Sequence, residues 1–202
     1  EKEDKGEYVQ PTDYERRVLG LLAAGGDPRN VDGIDAIERI YNSKYVDRQG
    51  INAKIFGLIA LDSGNYKVPE NAEWDRQKLI NDILKSECTN EENSYGKKAG
   101  WAFGEGNDAD PDMTGMALTA LAPYNNEEYP EVQKAIDRAV EWLSYVQRSD
   151  GGFASWGSLN SESCAQAIMG LCANNMAPTG EKFTKAGGNV VEALLSFFNE
   201  DV

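Results

Sequence analysis

The chain has 202 residues, of which 41% are hydrophobic and 27% are charged, an ordinary soluble composition with enough apolar residues for one large core or two small ones. Its formal net charge of −14, from 34 acidic and 20 basic side chains, repels phosphate backbones and anionic lipids, so nucleic acid is not an expected partner. The sequence contains no histidine, which excludes Ser-His-Asp and Cys-His hydrolases and most catalytic zinc sites.

Residues 1–10 form a charged N-terminal tail. They lack an initiator Met and the apolar stretch of a signal peptide, which is typical of a mature or excised segment. Further along the chain, no run approaches the roughly 18 apolar residues of a membrane span, so we expect no membrane insertion.

Four apolar segments, which align with one another position by position in one shared frame, predict inner helices. Each is apolar nearly all round and rich in Ala and Gly, as expected of a short helix enclosed by others. In chain order, they cover residues 15–24, 52–61, 112–121 and 162–171. The sixth position of each segment is small, which predicts close approach of neighbouring backbones at Gly20, Gly57, Ala117 and Ala167.

Amphipathic segments alternate with the inner ones and predict outer helices. They cover residues 34–40, 74–84, 129–147 and 190–198. The longest, 129–147, places aliphatic side chains on one face and charged side chains on the other, and Pro130 suits its first turn. No segment shows strand alternation, so the sequence predicts an all-α protein with about four pairs of inner and outer helices.

Local signals at the helix ends support these boundaries. Thr12 and Glu15 have the spacing of a capping box before the first inner helix. Asp110, followed by proline, suits the start of the third inner helix. The Gly-Gly-Asp-Pro run at 25–28 ends the first helix. The longest irregular stretch, residues 88–106, is predicted to be a surface insertion.

A loop motif follows the longest outer helix. Its members are Arg138, Ala139, Trp142, Leu143, Gln147, Gly151, Gly152 and Phe153. This set closely resembles the glutamine-and-tryptophan repeat of the squalene cyclase and protein prenyltransferase superfamily, with Phe153 where that repeat usually has Trp. A poorer copy has Glu87 near the glutamine position, with Gly100 and Trp101 after the insertion.

The resemblance covers residues 11–202, and phrases such as PTDYERRVLGLLAAGGDP and DGGFASWGSLNSESCAQAIMGL extend it to the prenyltransferase-like repeat domains of bacterial, mostly Gram-positive, surface proteins. It implies an α/α toroid, in which an inner ring of helices lies inside an outer ring, akin to the helical domain of transcobalamin and intrinsic factor. Such rings normally contain more than four pairs. We therefore expect an incomplete ring, or one completed by other domains of a longer parent chain. The resemblance also implies an extracellular or cell-surface location and a small molecule or protein partner at the concave centre.

An aspartate motif begins the third inner helix. Class II terpene cyclases of the resembled superfamily carry Asp-x-Asp-Asp-Thr at this place, and their middle Asp protonates an alkene or epoxide. By resemblance, Asp110 and Asp112 match the first and middle aspartates and Thr114 matches the threonine, whereas Met113 replaces the final aspartate. The residues themselves also allow a structural interpretation, in which Asp110 caps the helix and Asp112 favours its positive end.

Metal and cofactor sites are not predicted. Asp108, Asp110 and Asp112 alternate like the start of an EF-hand loop, but Met113 and Thr119 occupy its glycine and bidentate glutamate positions. The zinc site of protein prenyltransferases needs a histidine. The Gly-Cys-Gly-Glu-Gln motif of complement-type thioester domains is absent from the sequence.

Aromatic side chains near the repeat loops are candidates for ligand contacts in a central cleft. They are Trp101, Phe103, Tyr124, Phe153 and Trp156, and Gln166 of the fourth inner helix joins them as a candidate. The alternative is that these rings only lock one helical pair to the next.

The favoured hypothesis is a non-catalytic ligand- or protein-binding or scaffold module of a bacterial cell-surface or secreted protein, because each catalytic set of the resembled families lacks a member. The alternative is a class II terpene cyclase-like enzyme that acts on an isoprenoid, with Asp112 as general acid and Asp110 beside it. A third hypothesis is a spacer between other domains.

Overall fold

The computed structural model describes residues 8–89, 99–104 and 107–198. The predicted charged tail lies outside the described residues except for 8–10, and so do positions 90–98 and 105–106 of the predicted insertion. The chain divides into two compact units, residues 1–85 and 86–202. A single toroid domain over residues 11–202 stays a prediction.

The described part of the first unit consists of four helices and a short 3₁₀ turn at Val46–Gln49. The helices are α1 (Pro11–Ala23), α2 (Ala36–Tyr41), α3 (Ile51–Ser63) and α4 (Arg76–Lys85). Helices α1 and α3 pack against each other, α2 packs on both, and α4 packs on α3. The order of inner, outer, inner and outer helices is therefore as predicted within this unit.

The second unit repeats this order in its described part. Its helices are α5 (Pro111–Leu121), α6 (Pro130–Val146), α7 (Ser161–Ala173) and α8 (Val190–Leu195). Helices α5 and α7 pack against each other, α6 lies against α5, and α8 lies against α7. The all-α prediction is confirmed, since most of the described chain is helical.

Two hairpins of two-residue antiparallel strands were not predicted. The strands are β1 (Ala154–Ser155), β2 (Ser158–Leu159), β3 (Thr184–Lys185) and β4 (Gly188–Asn189). Strand β1 contacts the inner helices α5 and α7, and β4 leads into α8. The first hairpin therefore lies beside α7 and beside α5, the helix that begins with the aspartate motif.

Helices α5 and α7 approach so closely that glycine is required at the contact. A Cβ atom on Gly115 would lie 2.4 Å from the carbonyl oxygen of Gln166, and a Cβ on Gly170 would lie 2.7 Å from the carbonyl oxygen of Gly115. At Gly20, where a close approach was predicted, a Cβ would meet nothing within 4 Å. The prediction for Gly20 is therefore wrong, and the close approach lies at Gly115 and Gly170.

The predicted capping box of α1 is also wrong. The helix begins at Pro11 after Gln10, so Thr12 lies inside it, and the cap residue makes no side-chain hydrogen bond. Proline suits the first helical position because its missing N–H would have no partner there. Glu15, the other half of the predicted box, is buried, and neither of its carboxyl oxygens has a hydrogen-bond partner among the described residues.

The residues of the loop motif fasten α6 to its surroundings. The Gln147 side chain donates hydrogen bonds to the carbonyl oxygens of Gly151, at 2.7 Å, and Phe183, at 2.8 Å. In the second copy, Glu87 accepts two hydrogen bonds from Arg138, at 2.9 and 2.6 Å. These contacts give both copies of the motif a structural role in the second unit.

Candidate functional site

Asp110 caps helix α5, as predicted from the sequence. Its Oδ1 accepts hydrogen bonds from the backbone N–H groups of Asp112, at 2.9 Å, and Met113, at 3.4 Å. Its Oδ2 accepts a 2.5 Å hydrogen bond from the hydroxyl of Ser155 in strand β1. Both oxygens of this carboxyl are therefore engaged, and the first hairpin is tied to the start of α5.

Asp112 occupies the first turn of α5 and is half-buried. Its Oδ1 is buried and has no hydrogen-bond partner among the described residues. Burial raises the pKa of the Asp112 carboxyl, and the negative charges of Asp110 and Glu162 raise it further, whereas the nearby hydroxyl of Ser163 lowers it. Asp112 is therefore a desolvated carboxyl that keeps its proton to a higher pH than a free Asp does.

The other two positions of the aspartate motif belong to the core. Met113 and Thr114 are both buried. The Thr114 hydroxyl oxygen accepts a 3.0 Å hydrogen bond from the backbone N–H of Trp101. A Cβ on Gly100, whose φ is +82°, would lie 2.8 Å from the same hydroxyl oxygen. Thr114 therefore holds the Gly100–Trp101 loop against α5.

The five candidate aromatic residues do not share one surface. Trp101 and Phe153 are 0% exposed and form part of the core. Phe103 is 61% exposed and Trp156 is 89% exposed. Tyr124 lies edge-on to Tyr129, with ring centroids 5.2 Å apart. The two buried rings can only meet a ligand if the core opens, whereas Phe103 and Trp156 are accessible as they stand.

The sixth candidate, Gln166, lies at the contact between α5 and α7. Its backbone carbonyl faces Gly115 and its side chain is half-buried. Ligand binding by Gln166 and by the aromatic residues stays a prediction.

Comparison with known proteins places the chain in a family. Residues 58–200, well over half of the chain, match the squalene-hopene cyclase C-terminal domain. The chain belongs to this family. This match confirms the resemblance to the squalene cyclase and prenyltransferase superfamily, which was inferred from the loop motif.

One relative is similar over part of its length. A squalene-hopene cyclase from Schizosaccharomyces japonicus is 31% identical over 97 residues, which cover 48% of this chain and 14% of that protein. The chain thus matches only about a seventh of this relative. No solved structure matches the chain.

Within this squalene-hopene cyclase C-terminal domain, two serines next to the aspartate motif were missed in the sequence. Ser155 binds Asp110, and the buried hydroxyl of Ser163 lies beside the Asp112 carboxyl and lowers its pKa. Ser163 directly follows Glu162, which holds the position of Asp112 in the shared frame. Alignment of the inner segments could therefore have shown that Ser163 lies near the start of its helix, as Asp112 does. It could not have shown which way the Ser163 side chain points.

A cleft on the outer helix α6 was also missed. Its volume is about 470 Å³. It is lined by Ala99, Asp137, Arg138, Val140, Glu141, Trp142, Met176 and Lys182. The charges around it are largely paired, since Arg138 binds Glu87 and Lys182 binds Glu141. Arg138 and Trp142 were recognised in the sequence as members of the loop motif, but not as residues that line a cleft.

The described residues also limit other kinds of site. They contain no group of three or more Cys, Asp or Glu side chains placed to hold a metal ion. In the same part of the chain, no helix is both long enough and apolar enough to cross a membrane. Near the aspartate motif, the described residues provide the desolvated carboxyl of Asp112, the buried hydroxyl of Ser163 and the exposed ring of Trp156.

Proposed function

We propose that this squalene-hopene cyclase C-terminal domain is a non-catalytic ligand- or protein-binding module. The observation that carries the proposal is the state of the aspartate motif. Both carboxyl oxygens of Asp110 accept hydrogen bonds, one from the start of α5 and the other from Ser155. Buried Met113 replaces the third acid of the motif. No second acid of the motif is therefore free to assist Asp112.

The accessible aromatic rings support binding. Trp156 lies at the tip of the first hairpin with φ at +52°, a backbone conformation that a bulky side chain rarely adopts. Residues held in such sparsely populated backbone conformations cluster at ligand-binding and functional sites, and the exposed ring of Trp156 is available for contact with a ligand or partner. Trp156 directly follows Ser155, so such a partner would lie next to Asp110.

The cellular setting of the module rests on the resemblance to repeat domains of bacterial surface proteins. We place the domain outside the cell, within a longer parent chain whose other domains complete or flank the helical array. Protease treatment of intact cells that produce the parent protein tests this placement. Cleavage of the domain without lysis is expected, and protection until lysis would contradict an extracellular location.

Binding and turnover can be separated in one set of experiments. The chain is incubated with squalene and shorter polyprenyl substrates, and products are analysed by mass spectrometry. Calorimetry with a corrinoid and with cell-surface peptides measures binding. We expect no cyclised product and saturable binding that weakens in Trp156→Ala. Met169→Ala, which alters another exposed apolar side chain, is the matched control for nonspecific contact.

A second candidate function is acid-initiated isoprenoid cyclisation, and the buried Oδ1 of Asp112 favours it. A protonated Asp112 would donate its proton to a substrate alkene, leaving a carboxylate and a carbocation, and loss of a proton from the final cation would regenerate neutral components. Turnover abolished by Asp112→Asn would support this function. Absence of turnover in wild type, together with full ligand binding by Asp112→Asn, would contradict it.

A further inference from the structure

Glu15 of helix α1 is a buried acid that the proposed function does not use. Its residue is 1% exposed. Both carboxyl oxygens are buried, and neither has a hydrogen-bond partner among the described residues. An ionised carboxylate in that state would lack both water and hydrogen-bond donors, which strongly disfavours the charged form in a protein interior.

The surroundings of this carboxyl are apolar. The position that a Cβ on Gly57 would occupy lies 3.4 Å from Glu15 Oε1, 3.7 Å from Ile40 Cγ2 and 3.9 Å from Leu79 Cδ1. Glu15 of α1 therefore points into a space bordered by side chains of α2 and α4 and by the backbone of α3. The missing side chain at Gly57 leaves room for the carboxyl there.

Charged groups on the neighbouring helices do not compensate Glu15. Burial raises the pKa of Glu15 well above its usual 4.5, and among the described residues the positive charge of Arg16 acts against this shift. Several charged side chains of α3 and α4 have ion pairs of their own in the described chain: Lys54 with Asp47 and Asp82, Arg76 with Asp62, and Lys78 with Glu73. The other charged side chains on α1, α2 and α4 are Asp13, Arg17, Glu38, Arg39 and Lys85, and none of them contributes to the pKa of Glu15.

Glu15 also has a defined place in the repeat. It is the first residue of the apolar segment 15–24, as Asn52 and Asp112 are of the segments 52–61 and 112–121. Asn52 and Asp112 each keep a buried side-chain oxygen without a hydrogen-bond partner in the described chain. The first position therefore holds a buried acceptor in three of the four inner segments, whereas Glu162 of the fourth is exposed. Glu15 is the most deeply buried acid at this position.

We propose that Glu15 holds a proton in the folded protein and that loss of this proton releases α1 from its packing against α2 and α3. Helix α1 would then act as a pH-sensitive latch of the first unit, closed at acidic pH and loosened towards alkaline pH. The latch is independent of the function proposed for the second unit, because none of its residues belongs to the aspartate motif.

The direction of the pH effect follows from proton linkage. A group whose pKa is higher in the folded state binds its proton more tightly there, so its stabilising effect is complete below the unfolded value near 4.5 and is lost as the pH rises through the folded value. Over that interval, the opening constant of α1 increases by up to tenfold for each pH unit.

Hydrogen exchange of the full chain, analysed by mass spectrometry over a pH series and corrected for intrinsic rates, tests the latch. In wild type we expect the protection of residues 11–23 to fall with pH by up to tenfold per unit, while α6 serves as the internal reference. Glu15→Gln should make the protection of α1 independent of pH over this interval. Glu70→Gln, at an exposed position of the same unit, should behave like wild type.

The same pH dependence in wild type and Glu15→Gln would overturn the proposal. Because the buried amide of Glu15→Gln can itself disturb folding, Glu15→Leu provides a second variant, and its α1 is expected to stay protected at alkaline pH. Infrared spectroscopy provides an independent measurement. A protonated-carboxyl band that persists at neutral pH in wild type and disappears in Glu15→Leu supports the latch, whereas its absence from wild type contradicts it.

Discussion

Replacing Gly115 by alanine probes the contact between the inner helices α5 and α7. The new Cβ would lie 2.4 Å from the carbonyl oxygen of Gln166, 2.5 Å from its carbonyl carbon and 2.9 Å from the backbone nitrogen of Ala167. All three are backbone atoms within a helix, so no side-chain rotation can relieve the overlap. The helices must separate by about 1 Å to restore ordinary van der Waals contact.

The expected loss of stability follows from two opposing effects. Overpacking of this kind typically costs about 1–3 kcal/mol, and the rigid backbone at Gln166 places Gly115→Ala near the upper end. The higher helix propensity of alanine returns about 1 kcal/mol. The net destabilisation is therefore about 2 kcal/mol, which corresponds to a fall in Tm of roughly 5 °C for a chain of this size.

Thermal and urea unfolding followed by circular dichroism measure this change. Gly20→Ala is the matched control, because it is also a glycine-to-alanine change inside an inner helix but meets nothing within 4 Å. It should stabilise the protein by about 0.5–1 kcal/mol. If Gly115→Ala is as stable as wild type, or if both variants shift stability in the same direction, the close contact between α5 and α7 is not as described.

Three further changes test individual residues of the second unit. Arg138→Ala removes the ion-pair partner of Glu87, whose side chain is 4% exposed, and should lower the free energy of unfolding in urea by about 1–3 kcal/mol. The control Arg148→Ala breaks an exposed ion pair and should not change the stability measurably. Trp156→Gly should leave Tm unchanged or raise it slightly, because glycine adopts a positive φ without strain, and a clear fall in Tm would show that the ring is packed. Burial raises the pKa of Asp112 above 3.8, so the stability that its protonated form provides is lost as the pH rises through the raised pKa. Asp112→Asn should therefore gain stability relative to wild type as the pH increases from about 4, and parallel pH profiles would contradict this.

Most of the helical order could be predicted from hydrophobic periodicity. The predicted outer segment 129–147 corresponds to α6 at Pro130–Val146, because a long amphipathic stretch with an early proline specifies both the helix and its start. Helix α8 ends at Leu195, earlier than the predicted 198. The two hairpins escaped prediction because strands of two residues are too short to show alternation.

The start of α1 shows where a local motif can mislead. Thr12 and Glu15 match a capping box by residue type and spacing, but Pro11 begins the helix earlier. Glu15 then turns towards the protein interior and is excluded from water. Whether such a glutamate turns back to cap the helix or inward to the core depends on the space beside Gly57, which lies far away in the sequence.

The candidate site could be predicted only in part for a similar reason. The cap at Asp110 depends on its own helix, and the sequence predicted it. The burial of Asp112 depends on the neighbouring helix α7 and the hydroxyl of Ser163, which no local pattern reports. The loop motif likewise cannot distinguish buried Trp101 from exposed Phe103, because irregular loops have no periodicity to assign their faces.

The comparison of Glu15 with Asp112 bears directly on the question of catalysis. Both residues hold the first position of an inner segment, both keep a buried oxygen without a partner in the described chain, and burial raises the pKa of both. Glu15 nevertheless belongs to no aspartate motif. A desolvated acid at this position therefore also occurs outside the aspartate motif, although Glu162 at the equivalent position is exposed. The raised pKa of Asp112 is thus not by itself an argument for acid catalysis. Demonstrated turnover that depends on Asp112 is required, and without it the binding module accounts for the same geometry.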